Sequence, residues 1–329
     1  GIVARVTLER GMQLGGRFVL REPLAEGGMG EIWIAFHLDL GREVAVKVIK
    51  PMVSDQHRAV ERFLREARTV ASLSHPHIIE VLDLGTLEDG RPYMVMPTLA
   101  GRSLEACKKE LGALPLPRLV SLLAGPADAI DTLHDRDLMH RDIKPDNLFL
   151  EIADDGTETV ILLDFGLARQ LRGGTLTEVG MFLGTPQYIP PDLVTIGWTP
   201  RGDVYSFAVM AFELFTGALP FDHSDPHKLL HLKITHDPPL ASDLLEGVSP
   251  IISEIFRQAM SRDPNERPAR CGDFMNALRV MLGDDSIENA SPTLPRKKTK
   301  PSHDSEGAKD TLVDDTSQTW IAESPDGDD

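Results

Sequence analysis

His140-Arg141-Asp142-Ile143-Lys144-Pro145-Asp146-Asn147, followed about one hairpin later by Asp164-Phe165-Gly166, is the stretch around which the rest of the chain is read. It places a carboxylate, Asp142, five residues before a side-chain amide, Asn147, on one short segment. A second carboxylate, Asp164, arrives at the end of a separate strand-like run. A carboxylate can take a proton from a hydroxyl, and amide and carboxylate oxygens are ligands for a hard divalent cation. Each short motif is weak alone. Their order carries the information.

The chain has 329 residues, 41% hydrophobic and 26% charged, which is ordinary for a soluble globular protein and enough for two modest lobes with a tail. Cys107 and Cys271 are far apart and lack CxxC or CxxH partners, so neither a disulfide framework nor a zinc site is expected. A reducing, cytoplasmic setting is the default reading. No apolar run reaches the ~18 residues of a membrane span, and the N-terminus shows no signal-peptide pattern. The sequence begins at Gly1 rather than Met, as a fragment would. A net charge of −17 argues against nonspecific nucleic-acid binding, which depends on Lys and Arg neutralising phosphates. The segment 284–329 contributes 12 Asp and Glu against 5 Lys and Arg, so it is an acidic, polar tail.

Residues 17–49 alternate apolar and polar positions around a glycine cluster and end in Val44-Ala45-Val46-Lys47-Val48-Ile49, which predicts antiparallel strands. Val60, Phe63, Leu64, Ala67 and Val70 then fall at helical spacing within 57–73, before His75-Pro76. Two further strands are expected over 78–84 and 93–96, joined through Glu88-Asp89-Gly90. After Ala100-Gly101 the periodicity becomes helical, with helices predicted over 119–134, 204–216, 251–260 and 273–282. Between them lie the opening stretch and a hairpin turning at Asp154-Asp155-Gly156. The expected architecture is α+β: a small antiparallel-β lobe with one main helix (16–97) and a larger, mainly α lobe (98–283). An N-terminal extension (1–15) precedes them and a disordered tail (284–329) follows.

Leu24-Ala25-Glu26-Gly27-Gly28-Met29-Gly30-Glu31-Ile32 resembles a glycine-rich loop that covers nucleotide phosphates, although Ala25 stands where the first glycine of G-x-G-x-x-G belongs. A glycine cluster by itself is more often a turn. Lys47 at the end of Val-Ala-Val-Lys, and Glu66 on the following helix, change that reading, because phosphoryl transfer needs a strand-borne cation and an acid to orient it. Taken with Gly184-Thr185-Pro186 and Asp203, these residues resemble the catalytic domain of eukaryotic-like serine/threonine protein kinases of the bacterial kind, over roughly 16–283.

The resemblance implies a two-lobe kinase fold and transfer of the γ-phosphoryl group of ATP to Ser/Thr hydroxyls of protein substrates, with Mg²⁺ or Mn²⁺ as cofactor. It implies that Lys47 pairs with Glu66 and the phosphates, that Asn147 and Asp164 ligate the metal, and that Asp142 accepts the substrate proton. Lys144 would neutralise the transferred phosphoryl group. Leu24, Ala25, Glu26, Gly27, Gly28, Met29 and Gly30 would cover the phosphates, and Ile32, Ala45, Met96 and Phe149 would enclose adenine. The hinge departs from the family pattern at Pro97-Thr98-Leu99, yet Pro97 keeps its carbonyl and Leu99 its N–H for the base.

Arg141 resembles the arginine of kinases switched on by phosphorylation of a loop, which here contains Thr175, Thr177 and Thr185; the resemblance implies Thr177 as the first choice and Thr185 as the contact to catalytic loop and substrate. Pro190-Pro191-Asp192 stands where relatives carry Ala-Pro-Glu, so Asp192 is expected to pair with Arg267 although one methylene shorter. A homodimer for trans-autophosphorylation is a further expectation. The tail offers a basic run, Arg296-Lys297-Lys298-Thr299-Lys300, a candidate ligand for a phosphothreonine-binding partner at Thr311-Leu312-Val313-Asp314, and the apolar pair Trp320-Ile321. The alternatives are a kinase-fold scaffold with little activity, motivated by Ala25, Pro97 and Asp192, and a small-molecule kinase of related fold.

Overall fold

Apolar residues at both parities of 44–49 require a sheet covered on both faces, and that requirement shapes the first lobe. The computed structural model describes residues 6–27, 30–50, 56–164 and 185–283. Gly28, Met29, Phe165, Gly166, Thr175, Thr177, Gly184 and everything read into 284–329 lie outside the described residues. Strands β1 (Gln13–Leu14), β2 (Phe18–Gly27), β3 (Gly30–His37), β4 (Arg42–Ile49), β5 (Asp83–Thr86) and β6 (Pro92–Pro97) form one antiparallel sheet in the order β1-β2-β3-β4-β6-β5.

Register decides which side chains share a face. Ala25 faces Ile32, Ile32 faces Lys47, and Ala45 faces Met96, so one face carries the residues assigned to the nucleotide. Ile32, Ala45, Met94 and Met96 pack into the main core from that face. Trp33, Val44, Val46, Val48 and Val95 point the other way, into a second cluster that also contains Leu8 and Leu14. The segment read as a separate extension therefore belongs to the lobe from Val6 onward. Asp89 Oδ2 accepts from Val6 N at 2.8 Å and from Arg91 Nε at 2.8 Å, while Arg91 Nη2 donates to the Val6 carbonyl.

Helix α1 (Gln56–Ala71) buries Phe63, Ala67 and Val70, the face its periodicity predicts. The strand expected over 78–84 is shorter, because Ile78, Ile79 and Val81 bury in the main core ahead of β5. Ile79 N donates to Leu162 O at 3.1 Å and Leu162 N to His77 O at 2.8 Å, which ties this stretch to the second lobe.

That lobe contains α2 (Leu104–Leu111), α3 (Leu116–His134), α4 (Leu193–Ile196), α5 (Pro200–Thr216), α6 (Pro226–Thr235), α7 (Ala241–Leu244), α8 (Pro250–Ala259) and α9 (Cys271–Val280). A small sheet of β7 (Gly101–Ser103), β8 (Leu148–Ile152) and β9 (Glu158–Leu162) carries the catalytic stretch. Helix α5 is buried on almost every side. Thr199 caps its start by accepting from Gly202 N, and Gly217 ends it in the left-handed conformation at φ 78°.

The Asp192–Arg267 pair forms. Arg267 Nη2 donates to Asp192 Oδ1, and the guanidinium also donates to the carbonyls of Ser261 (2.7 Å) and Arg201 (3.1 Å). The shorter acid reaches with one oxygen only, and Asp192 Oδ2 is buried with no hydrogen-bond donor among the described residues. Removing one partner of a buried ion pair typically costs about 3–5 kcal/mol. Asp192→Ala should therefore lower the unfolding free energy by about that amount in chemical denaturation while leaving the nucleotide dissociation constant within a factor of ~2. An unchanged denaturation midpoint would refute the role assigned to the pair.

Candidate active site

The catalytic stretch is hung on one carboxylate. Asp203, on the first turn of α5, is fully buried, and its two oxygens accept from four donors. Oδ2 takes the backbone N–H of His140 at 2.8 Å and His134 Nε2–H at 2.9 Å. Oδ1 takes Arg141 N–H at 2.9 Å and Trp198 Nε1–H at 3.0 Å. Burial would raise the Asp203 pKa, but the bond from His134, the pull of that ring and the Arg141 N–H bring it below the usual carboxylate value. Arg141 sits at φ 64°, a conformation that costs a non-glycine residue energy and persists where the surroundings impose it. Here the two N–H bonds to Asp203 impose it.

Beyond this anchor the loop carries Asp142, nearly buried, into the site. Asn147, in a short 3₁₀ turn (Pro145–Asn147), donates through Nδ2 to the Asp142 carboxylate at 2.9 Å and to its carbonyl at 2.6 Å. Lys144 Nζ stands 3.7 Å from Asp142 Oδ2 and 3.4 Å from Thr185 Oγ1, so it bridges the loop and the segment that begins at Thr185. Leu163 N donates to Asn147 O at 2.8 Å, and His140 Nε2 to Leu163 O at 2.9 Å, which sets the end of β9 against the loop. The next residue, Asp164, turns to φ 50° and pairs with Lys47 of β4, whose side chain is 8% exposed.

Lys47, Asp164, Asp142, Asn147 and Lys144 are thus gathered. Ile32, Ala45, Met96 and Phe149 are buried in the adjoining core, against which Leu24, Ala25 and Leu99 pack. Glu66 is not gathered. It is half-buried on α1 and forms no ion pair with Lys47, whose ammonium is paired with Asp164 instead. The reason is local: a buried ammonium takes the carboxylate presented to it, and the left-handed turn at Asp164 presents one. In the glycine-rich loop, Glu26 pairs with Lys50 at 2.8 Å. A Cβ on Gly30 would meet Val48 O at 2.2 Å, so the approach of β3 to β4 already demands glycine there.

His134 and Trp198 are functional supports that the sequence reading missed. His134 reaches Asp203 across 69 residues, and Trp198, five residues before it, acts only through that buried carboxylate.

Burial holds His140 neutral, below its ordinary pKa. Its Nε2–H donates to Leu163 while Nδ1 accepts Asp142 N–H at 3.3 Å, a division of roles open only to the uncharged ring. The unfolded imidazole takes a proton below about pH 6.5 and the folded one resists it, so stability present above that pH is lost as the pH falls through it. The slope is at most about 1.4 kcal/mol per pH unit. Melting temperatures followed from about pH 7.5 to 5.5 should fall more steeply for wild type than for His140→Gln; parallel curves would refute this.

Comparison with known proteins places this geometry. The protein kinase domain model matches residues 18–279. Serine/threonine-protein kinase PknF of Mycobacterium tuberculosis is 34% identical over 280 residues, covering 84% of this chain and 58% of PknF. Serine/threonine-protein kinase PknA of the same organism is 34% identical over 299 residues, covering 88% of this chain and 67% of PknA. The chain therefore spans less than two thirds of PknF. Among solved structures, a double mutant of the Mycobacterium tuberculosis PknI kinase domain superimposes with a TM-score of 0.68 at 25% identity, covering 84% of this chain and all of that one. The loop hung on Asp203, the strand-borne Lys47 and the match over 18–279 agree: the chain belongs to the protein kinase domain family, with bacterial serine/threonine kinases as its relatives.

Proposed function

We propose that this chain transfers the γ-phosphoryl group of ATP to Ser/Thr hydroxyls of protein acceptors. The observation that carries the reading is the Asp142 carboxylate, held at 2.9 Å by Asn147 with a lysine ammonium 3.7 Å away. A base fixed beside a cation is suited to receiving a hydroxyl proton while charge develops on a transferring phosphoryl group. In this reading Asp142 orients the hydroxyl and takes its proton, Lys144 neutralises the phosphoryl oxygens, and Lys47 meets the α- and β-phosphates. Gly27 and Gly30 cover the phosphates; Gly28 and Met29, assigned to the same loop, lie outside the described residues. Ile32, Ala45, Met96 and Phe149 enclose the base, with Pro97 offering its carbonyl and Leu99 its N–H.

The donor set fits a magnesium ion. Asn147 spends its Nδ2 on Asp142, which leaves its amide oxygen as the free end, and Asp164 adds a carboxylate. Oxygen donors of this kind suit Mg²⁺, with phosphates and water completing the shell. When bound, the ion would neutralise phosphate charge. The residues' own part is to hold it and to orient the acceptor.

Support for a cytoplasmic setting comes from Cys107 and Cys271, both buried free thiols with pKa raised first of all by burial. Among the described residues no helix is long and apolar enough to cross a membrane. Control by loop phosphorylation and trans-autophosphorylation in a dimer belong to the same proposal, with Thr177 as the first site to examine.

Transfer of labelled phosphate from ATP to protein acceptors should fall about 10²–10⁴-fold in Asp142→Asn, with the melting temperature nearly unchanged. Transfer that survives the substitution would refute the assignment of Asp142. Absence of transfer by wild type, even after loop phosphorylation by another kinase, would favour a scaffold. Asp164→Asn should abolish the Mg²⁺ dependence of ATP binding in calorimetry, and binding that remains equally Mg²⁺-dependent would refute Asp164 as a ligand.

A further inference from the structure

Lys233 lies on α6, outside the catalytic loop, and is 2% exposed. Its Nζ donates to three backbone carbonyls of one short segment: Pro186 O at 2.8 Å, Gln187 O at 2.6 Å and Ile189 O at 2.8 Å. An ammonium has three protons and no acceptor, so all of its bonding capacity is spent here. The carbonyl that Lys233 skips, Tyr188 O, accepts from Ser206 Oγ of α5 at 2.7 Å. Four consecutive carbonyls, 186–189, are therefore held by side chains of two helices. Tyr188 is anchored again at its far end, where its hydroxyl donates to Glu213 Oε2 at 2.5 Å.

Sequence explains the need. Pro186, Pro190 and Pro191 lack N–H groups and cannot join a ladder, so this segment cannot fix its own backbone by regular pairing. Buried carbonyls left without donors would each cost free energy. A lysine is nevertheless an expensive donor. No carboxylate lies within ion-pair distance of Lys233 among the described residues, and burial lowers its pKa to about 7. The Tyr205 ring, 5.6 Å from Nζ at its centroid, adds a cation–π contact. A buried charge without a counter-ion is poor stabilisation, but a single atom binding three carbonyls is a strong geometric constraint.

The constrained segment abuts the reacting centre. It begins at Thr185, whose Oγ1 accepts from Lys144, the residue 3.7 Å from Asp142. Any acceptor hydroxyl presented to Asp142 lies beside this wall. We propose that Lys233 is a positioning residue for the protein acceptor: with Ser206 it fixes the backbone of Pro186–Ile189 at the height that brings an acceptor Ser or Thr onto Asp142. This rests on the kinase reading above and adds a residue that governs the acceptor rather than ATP.

The test uses the full chain, a Ser-containing peptide library as acceptor, and Lys233→Met, which fills the path of the side chain out to Cε and removes the ammonium. Misplacement of a positioning surface by about 1 Å is worth up to ~10²-fold. The acceptor KM should rise about tenfold or more, while the KM for ATP and acceptor-independent ATP hydrolysis stay within about twofold. Ser206→Ala, which removes only one of the four bonds, should raise the acceptor KM about two- to threefold with ATP parameters unchanged. That milder variant decides the question if Lys233→Met does not fold. An unchanged acceptor KM, or acceptor and ATP parameters that shift together with the melting temperature, would overturn the proposal and leave Lys233 as ordinary core support. Wild type that transfers to no acceptor would instead overturn the kinase reading, and this inference with it.

Discussion

The buried carboxylate of Asp203 is the constraint on which the site depends. Its two oxygens accept four N–H donors, two from the catalytic loop backbone and two from the side chains of His134 and Trp198. Charge-assisted bonds of this kind are stronger than neutral ones, and inside a low-dielectric core they are stiff as well. The consequence reaches Asp142 through two peptide units. Arg141 is held in a left-handed conformation, and that reversal aims the next residue. Placing the anchor on α5, the most buried helix, gives the loop a base that no solvent-exposed helix could provide.

How much of this was legible in the sequence follows from the range of each interaction. Asp142, Lys144 and Asn147 sit within six residues, so their proximity is a property of a single turn and could be read directly. The α1 core face was legible for the same reason, since Phe63, Ala67 and Val70 obey a local period. Lys47 was legible through its strand, and Asp192–Arg267 through a resemblance rather than through any local rule. His134, Trp198 and Lys233 were not. Each acts across 44 or more residues or through a carboxylate that itself had no visible partner in the sequence.

Two departures have the same physical origin. The N-terminal segment read as an extension covers the sheet because Val44, Val46 and Val48 point away from the nucleotide face and need a lid. Leu8 and Leu14 provide it, clamped by Asp89 and Arg91. Alternation predicted which residues point outward, but it could not say what would meet them. Likewise, Lys47 was expected to choose Glu66 from its helix, whereas a carboxylate delivered by backbone strain at Asp164 reached it instead. Both outcomes depend on what lies across the core, which periodicity does not encode.

The Lys47–Asp164 pair bears on how the site stays folded before it works. On the roles proposed here, one group is meant for phosphate and the other for a divalent cation. Each would be a buried or half-buried charge without a partner if the two stood apart, and that state is costly. Paired, they neutralise each other, and only part of the Asp164 carboxylate remains open, since that side chain is 26% exposed. Arrival of a magnesium nucleotide would then exchange one ion pair for two: ammonium with phosphate, carboxylate with cation. Each of the two protein charges would then keep an opposite charge beside it in both forms, although the magnesium nucleotide itself adds net negative charge to the site. Glu66 is close in sequence to the core-facing Phe63 and Ala67 and is itself unpaired among the described residues. On the roles proposed here, Glu66 would be the acid left to orient Lys47 once Asp164 holds the metal.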